Sequence, residues 1–426
     1  MRLHEYPVWK EGLTPPAGDP AALPDAAEVV VIGAGISGLA AARELARRGK
    51  QVVVLEAHTL GWGASSRNGG MVLTGLKLGV EKLIKRYGKA MSQRMFIASL
   101  HAIDTVERIV ADEQIDCSFQ RSGHLVVASK AAHYPGLATE VDLLHHEFGH
   151  STQLIPREQL HSEIGSTQFY GGMVDPASAS INPALYTAGL TRAAQRAGAR
   201  LFDHTPVRRI TRQGRSWQVE TQRGTVCSEQ VLVATGGYTG KATPIIRRRV
   251  VPIGSFIIAT EPLTADLAQE LSPHGRMIYD TRNFLYYFRV TPDQRMLFGG
   301  RASFFPETPK TVQSSADILR RAMIDVYPQL RDARITHAWG GNVDFTFDMM
   351  PHAGTRNGMS YAVGYAGHGV ALATYLGTQM GAGLAGGTAE NPFDQPLPRA
   401  PLGLYDGRPW FLPFAGIWYK LLDWIS

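Results

Sequence analysis

Three glycines and one glutamate near the N-terminus have the types and spacing that bind a phosphorylated dinucleotide. Gly33, Gly35 and Gly38 follow an apolar run in a GxGxxG pattern, and Glu56 ends a second apolar run 18 residues after Gly38. The first glycine permits a tight turn, the second lets backbone approach a pyrophosphate, and the third lets a helix pack closely on a strand. An acid at the end of the second run accepts hydrogen bonds from ribose hydroxyls.

A strand, a helix and a second strand must position these residues, and the sequence supplies all three. Residues 29–32 are apolar and mostly β-branched, residues 39–46 have the apolar spacing of a helix, and residues 52–55 form a second apolar strand. The unit takes about 30 residues, as expected for a βαβ fold whose helix N-terminus faces the phosphates. We therefore predict a bound FAD. The alternative is an accidental glycine loop.

The composition excludes several other classes of protein. The chain has 426 residues, a net charge of +6 and two cysteines, Cys117 and Cys227, outside any metal-binding spacing. The basic residues are dispersed, with one short cluster at residues 247–249. A nucleic-acid partner, a zinc site and a disulfide framework are therefore disfavoured. Because no secretory signal is visible at the start, we expect a cytoplasmic protein.

Two apolar segments could be taken for membrane-contacting segments. Residues 361–387 contain no charged side chain, but glycines at 364, 367 and 369 interrupt them. We expect a buried strand, a glycine turn and a buried helix, since a glycine turn would expose unpaired backbone in lipid. Residues 409–424 are rich in aromatic side chains. We expect them to pack on the protein's own body rather than on a membrane surface.

The dinucleotide-binding signals occur in separate pieces of the chain. Asn182 and Pro183 predict the start of a helix through Ala197, and apolar runs predict strands at residues 231–237, 251–260 and 296–300 among others. The predicted fold class is mixed α/β (α+β), with a Rossmann-like FAD-binding domain interleaved with an antiparallel-sheet substrate domain. The predicted segments are a lead-in (1–27), the FAD-binding domain (28–80, 171–240 and 338–400), the substrate-binding domain (81–170 and 241–337) and an aromatic tail (401–426). The active site is expected between the two domains.

With these pieces in place, the chain resembles the D-amino-acid-oxidase-like superfamily of FAD-dependent oxidoreductases over nearly its whole length. Within it, the chain is most similar to the γ-glutamylputrescine oxidoreductases. The motifs that carry this resemblance are residues 63–70, 287–289, 295–301, 339–351, 367–369 and 407–413.

The resemblance implies that FAD binds in an extended form. The predicted cofactor contacts combine the residues of the glycine turn with those that the resemblance implies. They are Gly33, Gly35, Ile36, Ser37, Gly38, Glu56, Ala57, Gly63, Ala64, Ser65, Arg67, Asn68, Gly69, Gly70, Val207, Ala234, Thr235, Gly236, Gly367, His368, Gly369 and Val370. Sarcosine-oxidase relatives can attach flavin to a cysteine near the segment that corresponds to residues 337–341. Both cysteines lie elsewhere here, so we predict non-covalent FAD and no metal.

The implied reaction is oxidation of a carbon–nitrogen bond in an amine or N-substituted amino acid. Hydride passes to flavin N5, the resulting imine is hydrolysed to an aldehyde and an amine, and O2 or a quinone-type acceptor takes the electrons. The nitrogen must be neutral, which costs about 4–5 kcal/mol at pH 7 for an amine with a pKa of about 10.4. An aromatic pocket lowers this cost. The sequence offers Phe256, Phe284, Tyr286, Tyr287, Phe288 and Trp339 for it.

The candidate catalytic and pocket residues are His368, Tyr287, Arg289 and Trp339. Strand alternation places Phe284, Tyr286 and Phe288 on one face and Leu285, Tyr287 and Arg289 on the other, so one face is expected to line the cavity. Arg289 or Arg301 could clamp a substrate carboxylate; an ordinary ion pair is the alternative for each. His368 is expected beside the flavin, and the alternative is a simple turn residue.

Three other functions remain open. The first is an NAD(P)H-dependent flavoprotein, although a second GxGxxG unit is not visible. The second is a flavoprotein that has lost catalysis and serves in assembly or electron transfer. The third keeps the chemistry but acts on a D-amino acid, glycine or sarcosine. Bleaching of the flavin by NADPH without a response to amines would indicate the first function, and failure of a broad amine panel to reduce the flavin would indicate the second. A comparison of amine and amino-acid substrates would identify the third.

Overall fold

Two β-sheets form the framework of the protein, and each is assembled from distant parts of the chain. The structure is a computed structural model that describes residues 3–300, 308–388, 390–400, 403–412, 414 and 416. Arg301, the second candidate for a carboxylate clamp, lies outside the described residues, as do parts of the predicted aromatic tail.

The helices and strands of the described residues alternate along most of the chain. The helices are α1 (Ile36–Arg47), α2 (Val80–Tyr87), α3 (Lys89–Asp112), α4 (Tyr134–Phe148), α5 (Pro183–Arg196), α6 (Pro244–Arg247), α7 (Ala265–Leu271), α8 (Pro309–Val326) and α9 (Gly369–Leu384). The strands are β1 (Ala26–Ile32), β2 (Val52–Leu55), β3 (Met71–Val72), β4 (His124–Val127), β5 (Gln153–Pro156), β6 (Gly171–Asp175), β7 (Ala179–Ser180), β8 (Arg200–Phe202), β9 (Val207–Gln213), β10 (Ser216–Thr221), β11 (Gly224–Val233), β12 (Val251–Thr260), β13 (Met277–Asp280), β14 (Tyr286–Val290), β15 (Met296–Gly300), β16 (Ile335–Phe345), β17 (His352–Arg356) and β18 (Met359–Val363).

The first sheet has a parallel centre in the order β18-β11-β1-β2-β8. β17 pairs with its edge at β18, while β9 and β10 extend an antiparallel ribbon from β11. Val30 and Val31 in β1 are fully buried, one in each of two core clusters. A strand covered on both faces needs apolar residues at successive positions, which is why β1 reads as a continuous apolar run. The βαβ unit predicted from the sequence is confirmed.

Close helix packing explains the glycines in the charge-free segment 361–387. α9 crosses α1, and a Cβ atom at Gly377 would collide with the Ser37 carbonyl oxygen. At Gly381 a Cβ would lie 2.7 Å from the Ala41 oxygen. The segment forms β18, a turn and α9, as predicted from its glycines. Among the described residues, the structure contains no helix long and apolar enough to cross a membrane.

The second sheet has the order β16-β12-β15-β14-β13-β4-β6-β5 and is antiparallel except where β13 meets β4. The predicted strands at residues 251–260 and 296–300 match β12 and β15. The predicted strand at 284–290 begins later, at Tyr286, because the Asp280 carboxylate accepts hydrogen bonds from the backbone N–H groups of Arg282 and Tyr286 and closes a turn before it.

Two predicted domain boundaries differ from the observed pairing. β6 pairs with β4 and β5, and β16 pairs with β12, so both strands belong to the second sheet. The predicted FAD-binding segments 171–240 and 338–400 had included β6 and most of β16. Alternation of apolar residues can indicate a strand but does not say which distant strand it pairs with, so these boundaries could not be read from the sequence.

Part of the C-terminal segment packs on the body of the protein. Tyr405 and Leu412 are buried beside Val251 and Phe345. Trp410 and Phe414 are more than half exposed, at 59% and 69%. Packing on the protein's own body, the expectation for this tail, therefore applies to only part of its described residues.

Candidate active site

A cavity of about 520 Å³ extends from the first glycine turn to the second sheet. It is lined by 20 of the predicted cofactor contacts, namely Gly33, Gly35, Ile36, Ser37, Glu56, Ala57, Gly63, Ala64, Ser65, Arg67, Asn68, Gly69, Val207, Ala234, Thr235, Gly236, Gly367, His368, Gly369 and Val370. Gly38 and Gly70 are not part of its lining. Segments more than 300 residues apart in the chain therefore meet around one space.

The nucleotide end of the cavity is built by the βαβ unit. Gly33 has a φ of +102°, and a Cβ at Gly38 would overlap the Gly33 carbonyl oxygen. The Glu56 carboxylate accepts hydrogen bonds from the backbone N–H of Ala34 and His58, both at 2.9 Å. These contacts tie the end of β2 to the glycine turn and hold the carboxylate at the cavity wall, where the sequence placed a ribose contact.

A polar loop, residues 63–70, crosses the middle of the cavity and meets the start of α1. Ser65 Oγ accepts a hydrogen bond from the Ile36 backbone N–H at 2.9 Å. The Asn68 side chain donates to the Ala64 and Ser65 carbonyls and accepts from the Gly70 N–H. The loop therefore carries its own internal hydrogen bonds in addition to its contact with the helix.

Three distant side chains hold carbonyl groups of this loop. Trp339 Nε1 donates to the Arg67 carbonyl at 2.7 Å, and Trp9 Nε1 donates to the Asn68 carbonyl at 2.8 Å. Arg289 Nη1 donates to the Gly70 carbonyl at 2.9 Å. Trp339 and Trp9 each donate to a part-buried carbonyl, whereas the buried Gly70 carbonyl accepts from both Arg289 and the Ile181 backbone N–H. Such a hydrogen bond contributes about 0.5–1.5 kcal/mol, and more when the donor is charged. We call these three side chains the loop anchors.

Arg289 and Trp339 therefore lie elsewhere than the sequence predicted. Neither side chain is part of the cavity lining. Arg289 is 2% exposed and its guanidinium lies 5.5 Å from the Trp9 ring centroid. Burial lowers its pKa to about 10, so it stays a cation at neutral pH. Its contact with the loop does not support the expected role as a carboxylate clamp.

Tyr287 lines the cavity from β14 together with Leu285. Its hydroxyl is 2.9 Å from Ser255 Oγ, and its ring packs against Gly69 and Gly299. Burial raises the pKa of Tyr287 to about 12, so the phenol is neutral and cannot serve as a base at pH 7. Of the two strand faces considered, the one carrying Leu285 and Tyr287 faces the cavity.

The other aromatic side chains offered by the sequence for the pocket lie elsewhere. Phe256, Phe288 and partly buried Tyr286 pack in the core of the second sheet. Phe284 precedes β14 and is not part of the lining. The cavity end at β14 is therefore less aromatic than predicted, with leucines at 73, 76 and 285 beside Tyr279 and Tyr287.

His368 precedes α9 and lies at the cavity wall with Gly369 and Val370. Burial lowers its pKa to about 3, and the nearby charges of Lys77 and His124 act in the same direction. The imidazole is therefore neutral at pH 7. Because the N-terminus of α9 carries a partial positive charge, this wall favours negative charge on a group bound against it.

Sequence reasoning missed several polar residues of the lining, among them Lys77 and Tyr279. Lys77 follows β3 in an irregular stretch with no motif, and Tyr279 belongs to the short strand β13. No spacing rule marks either position, because Tyr279 reaches the cavity through the pairing of the second sheet and Lys77 through the path of the irregular stretch after β3. The only signal available was the presence of a lysine three residues after Thr74 in an otherwise apolar stretch.

The residues around the cavity fit the predicted FAD. A glycine cradle at the start of α1, an acid at the end of β2 and a second helix N-terminus at α9 provide contacts for phosphate, ribose and an electron-accepting ring. The buried Nδ1 of His368 has no hydrogen bond of good geometry within the described part of the chain. Neither Cys117 nor Cys227 lines the cavity. The described residues contain no group of side chains suited to a metal ion.

Comparisons with known proteins agree with this site. Residues 28–382 match the model of a family described as FAD dependent oxidoreductase. The chain is 35% identical over 353 residues to the probable oxidoreductase OrdL of Rhizobium meliloti, covering 82% of this chain and 81% of that protein. It is 30% identical over 403 residues to the γ-glutamylputrescine oxidoreductase of Escherichia coli, covering 93% and 92%.

Solved structures show the same fold. The glycine oxidase of Geobacillus kaustophilus matches with a TM-score of 0.71 and 21% identity over 89% of this chain and all (100%) of that chain. The L-amino acid deaminase of Proteus vulgaris matches with a TM-score of 0.72 and 17% identity, covering 89% and 99%.

Proposed function

Because the chain belongs to the family of FAD-dependent oxidoreductases, we propose that it oxidises a carbon–nitrogen bond of an amine or N-substituted amino acid of the γ-glutamylputrescine type. The observation that carries this proposal is one cavity lined both by the glycine cradle of the βαβ unit and by Tyr287 and Lys77. The similarity to the γ-glutamylputrescine oxidoreductase of Escherichia coli supports the choice of an amine.

The cofactor and the protein divide the chemistry. FAD, when bound, accepts a hydride from the carbon next to the substrate nitrogen. The protein orients the two partners and excludes water. The loop anchors hold one wall, and α9 with neutral His368 forms another. With no cysteine at the cavity, we propose that FAD is held non-covalently, so acid precipitation should release all of the flavin; flavin left on the pellet would contradict this.

Three apolar side chains that line the cavity favour the neutral amine that the reaction requires. Leu73, Leu76 and Leu285 line the cavity beside Tyr287, whose hydroxyl is already paired with Ser255. An ammonium group loses solvation among such groups, which lowers its pKa. We expect the rate of flavin reduction to rise with pH through the pKa of the bound amine. A pH-independent rate would contradict this step.

Lys77 gives the cavity a positive charge that a γ-glutamyl substrate could use. Such a substrate carries a carboxylate at the end remote from the oxidised amine. The ammonium of Lys77 can pair with a carboxylate as a point charge. We propose that Lys77 recognises this carboxylate and so selects acylated amines over simple diamines.

An anaerobic titration of the purified holoprotein tests the proposed function. Polyamines, γ-glutamylated polyamines, N-methyl amino acids, glycine and D-amino acids are each added while the flavin absorbance is recorded. We expect γ-glutamylated amines to bleach the flavin. If NADPH bleaches it and amines do not, the protein is a reductase. If the whole panel fails, the amine proposal is wrong. If glycine, sarcosine or D-amino acids act best, the chemistry stands and the substrate class changes.

A pair of lysine variants tests the role of Lys77. Lys77→Met should raise KM for γ-glutamylputrescine about tenfold or more while leaving KM for putrescine little changed, as expected for the loss of one charge-assisted pair. Lys82→Met, on the exposed face of α2, is the matched control. Equal effects of Lys77→Met on both substrates would contradict carboxylate recognition.

The electron acceptor and the location in the cell remain proposals too. We propose O2 or a quinone-type molecule as acceptor and a cytoplasmic protein without nucleic-acid partners, in keeping with the dispersed basic residues. Reoxidation of the amine-reduced protein by air, compared with a soluble quinone, separates the two acceptors.

A further inference from the structure

Two features of the sequence that the active site does not use meet on one face of the protein. They are the short basic cluster at residues 247–249 and the aromatic C-terminal segment. Arg247 packs on Gly407 of that segment, where a Cβ atom would lie 2.5 Å from Arg247 Cγ. Arginines and aromatic side chains from distant parts of the chain therefore share one surface.

The inner side of the C-terminal segment is fixed to the body of the protein. The Tyr405 hydroxyl donates to the Val250 carbonyl at 2.8 Å. Tyr405 and Leu412 are buried in an apolar cluster that includes Val251 and Phe345. Because packing holds these inner side chains, the side chains on the other side of the segment are kept at the surface.

The outer side of the segment carries three large apolar side chains in contact with solvent. Leu404, Trp410 and Phe414 are 65%, 59% and 69% exposed, whereas no other large apolar side chain of the described residues exceeds 44%. Trp410 Nε1 donates to the Leu404 carbonyl at 3.4 Å, which keeps two of the three together. We call these three side chains the apolar tip. A group of exposed apolar side chains of this kind marks an interaction surface.

Arginines lie beside the apolar tip. Arg408 is two residues before Trp410, and its side chain is 75% exposed. Arg248 is also exposed. Arg249, next to it, is buried, and burial together with the charges of nearby arginines lowers its pKa. We call the arginines around Arg249 and the Gly407 turn the basic rim, which consists of Arg247, Arg248, Arg356, Arg399 and Arg408.

The basic rim has an excess of positive charge. Apart from Arg408, no rim arginine has a carboxylate within ion-pair distance in the described part of the chain. Arg408 lies 4.0 Å from Asp406, and both side chains are mostly exposed. A second carboxylate, Asp394, acts on Tyr361 together with Arg356. The positive charges outnumber these two negative ones, so the rim attracts an anionic surface.

The combination of tip and rim decides between possible partners. A second copy of this chain would bring arginines against arginines, and like charges in one interface oppose association. A nucleic acid would pair with the rim but leave the tip in water. An anionic bilayer satisfies both parts, because its phosphate groups are negative and its acyl chains are apolar.

We propose that the apolar tip and the basic rim dock the protein on the surface of an anionic phospholipid bilayer. The tip side chains enter the boundary between headgroups and acyl chains, where aromatic and leucine side chains anchor interfacial segments. The rim arginines lie at the level of the lipid phosphates. The docking uses no residue of the cavity lining and goes beyond the proposed function.

Sedimentation with lipid vesicles tests the docking of the purified holoprotein. One set of vesicles contains phosphatidylcholine alone, and the other contains an equal mixture of phosphatidylcholine and phosphatidylglycerol. We expect the protein to bind the mixed vesicles about tenfold or more tightly. Added salt should weaken this binding because it screens the charges. No binding to the mixed vesicles, or equal binding to both sets, would overturn the proposal.

Two double variants test the two parts of the surface. Trp410→Ser with Phe414→Ser removes most of the tip and should lower the partition coefficient on mixed vesicles about tenfold or more. Arg248→Gln with Arg408→Gln should lower it about fivefold for each arginine, the scale of one basic residue near an anionic surface. All four side chains are exposed, so the fold and the FAD content should persist.

Matched variants elsewhere on the surface serve as controls. Ile97→Ser with Ile318→Ser removes two exposed apolar side chains on α3 and α8. Arg208→Gln with Arg209→Gln removes two exposed arginines on β9. Both should bind vesicles like the natural protein. A loss in these controls as large as in the tip and rim variants would overturn the assignment of docking to this face.

Two further outcomes would give this face another role. If removal of the tip leaves vesicle binding unchanged, the contact is electrostatic adsorption alone and the proposal is wrong. If the protein binds no vesicles but forms dimers that the tip variant loses, the face is an interface between copies and the proposal is also wrong. Binding that is lost in the tip and rim variants and retained in both controls supports docking, whether or not any amine reduces the flavin.

Discussion

The two ends of the cavity are built in different ways. At the nucleotide end, the hydrogen bonds that shape the wall join residues 22 and 29 positions apart, Ala34 to Glu56 and Ile36 to Ser65. At the other end, the loop anchors join residues 59, 219 and 272 positions apart. The hydrogen bonds at the first end thus lie within one stretch of chain, the βαβ unit and the loop that follows it. The second end exists only when the lead-in and both sheets have assembled.

This difference decides how each end should respond to substitution. The local end depends on backbone shape, so changes at its glycines should abolish cofactor binding. The assembled end depends on donors that hold carbonyl groups from a distance. Their loss should leave FAD bound but displace the loop, so binding and catalysis should separate.

The largest effect is expected from Gly38→Ala. The new Cβ would overlap the Gly33 carbonyl oxygen, and backbone cannot move aside easily. We expect loss of bound FAD and a loss of stability of about 3 kcal/mol, measured by the flavin-to-protein absorbance ratio and urea unfolding. Gly136→Ala in α4, where a Cβ meets no atom within 4 Å, is the control. Retention of full FAD in Gly38→Ala would show that the local end is not rigid.

The next effect is expected from Arg289→Met, which removes a loop anchor. The Gly70 carbonyl loses its charged donor and keeps only the Ile181 backbone N–H. A hydrogen bond to a charged group contributes about 1.5–3 kcal/mol, so we expect kcat to fall about tenfold to hundredfold with FAD still bound. Trp339→Phe should behave alike. The fall should be equal for substrates with and without a carboxylate. A selective rise in KM for carboxylate substrates would instead restore the clamp role for Arg289.

Glu56→Gln should weaken FAD binding without changing the chemistry. The variant keeps the shape of the side chain but loses the charge and one of the two accepting oxygens, so its NH2 group cannot accept from one of the Ala34 and His58 N–H groups. We expect the Kd of the apoprotein for FAD to rise about tenfold, with kcat unchanged at saturating FAD. Glu44→Gln, which alters a surface pair with Arg48, serves as control. A lower kcat at saturating FAD would contradict the division of labour between the two ends.

The smallest effect is a pH dependence of stability at the assembled end. His337 contacts His4 and Tyr6 of the lead-in that carries Trp9, and burial lowers its pKa from 6.5 to about 4. The unfolded chain takes up a proton as the pH falls below 6.5, whereas the folded chain does so only near 4. Stability should therefore decrease between these two values.

A matched variant isolates the contribution of His337. His337→Phe keeps the ring contacts but cannot bind a proton, so its free energy of unfolding should fall less between pH 7 and pH 4.5 than that of the natural protein. Urea unfolding at both pH values measures the difference. Identical slopes would show that His337 does not couple the lead-in to pH.

Some features of the site were readable because their cause is local. The turn at Gly33, the helix cap at Asn182 and the strand and helix of segment 361–387 follow from backbone freedom, side-chain capping and apolar periodicity. Strand alternation assigned Tyr287 to one of two faces, but which face lines the cavity depends on the neighbouring strands of the sheet. Arg289 and Trp339 lie near the cavity, but their side chains hold carbonyl groups of the loop at residues 63–70 instead of lining the substrate pocket.

The amino-acid sequence by itself predicted the βαβ unit and the FAD cofactor, since glycines and an acid at fixed spacing act within one short segment, and motifs along the chain indicated the family by resemblance. Only the tertiary structure decided which side chains reach the cavity and why two apparent pocket residues hold a loop. The physical reason is that hydrogen bonds across hundreds of residues depend on sheet pairing. That pairing satisfies buried polar groups wherever the fold brings them together, and no local pattern in the chain names the distant partner.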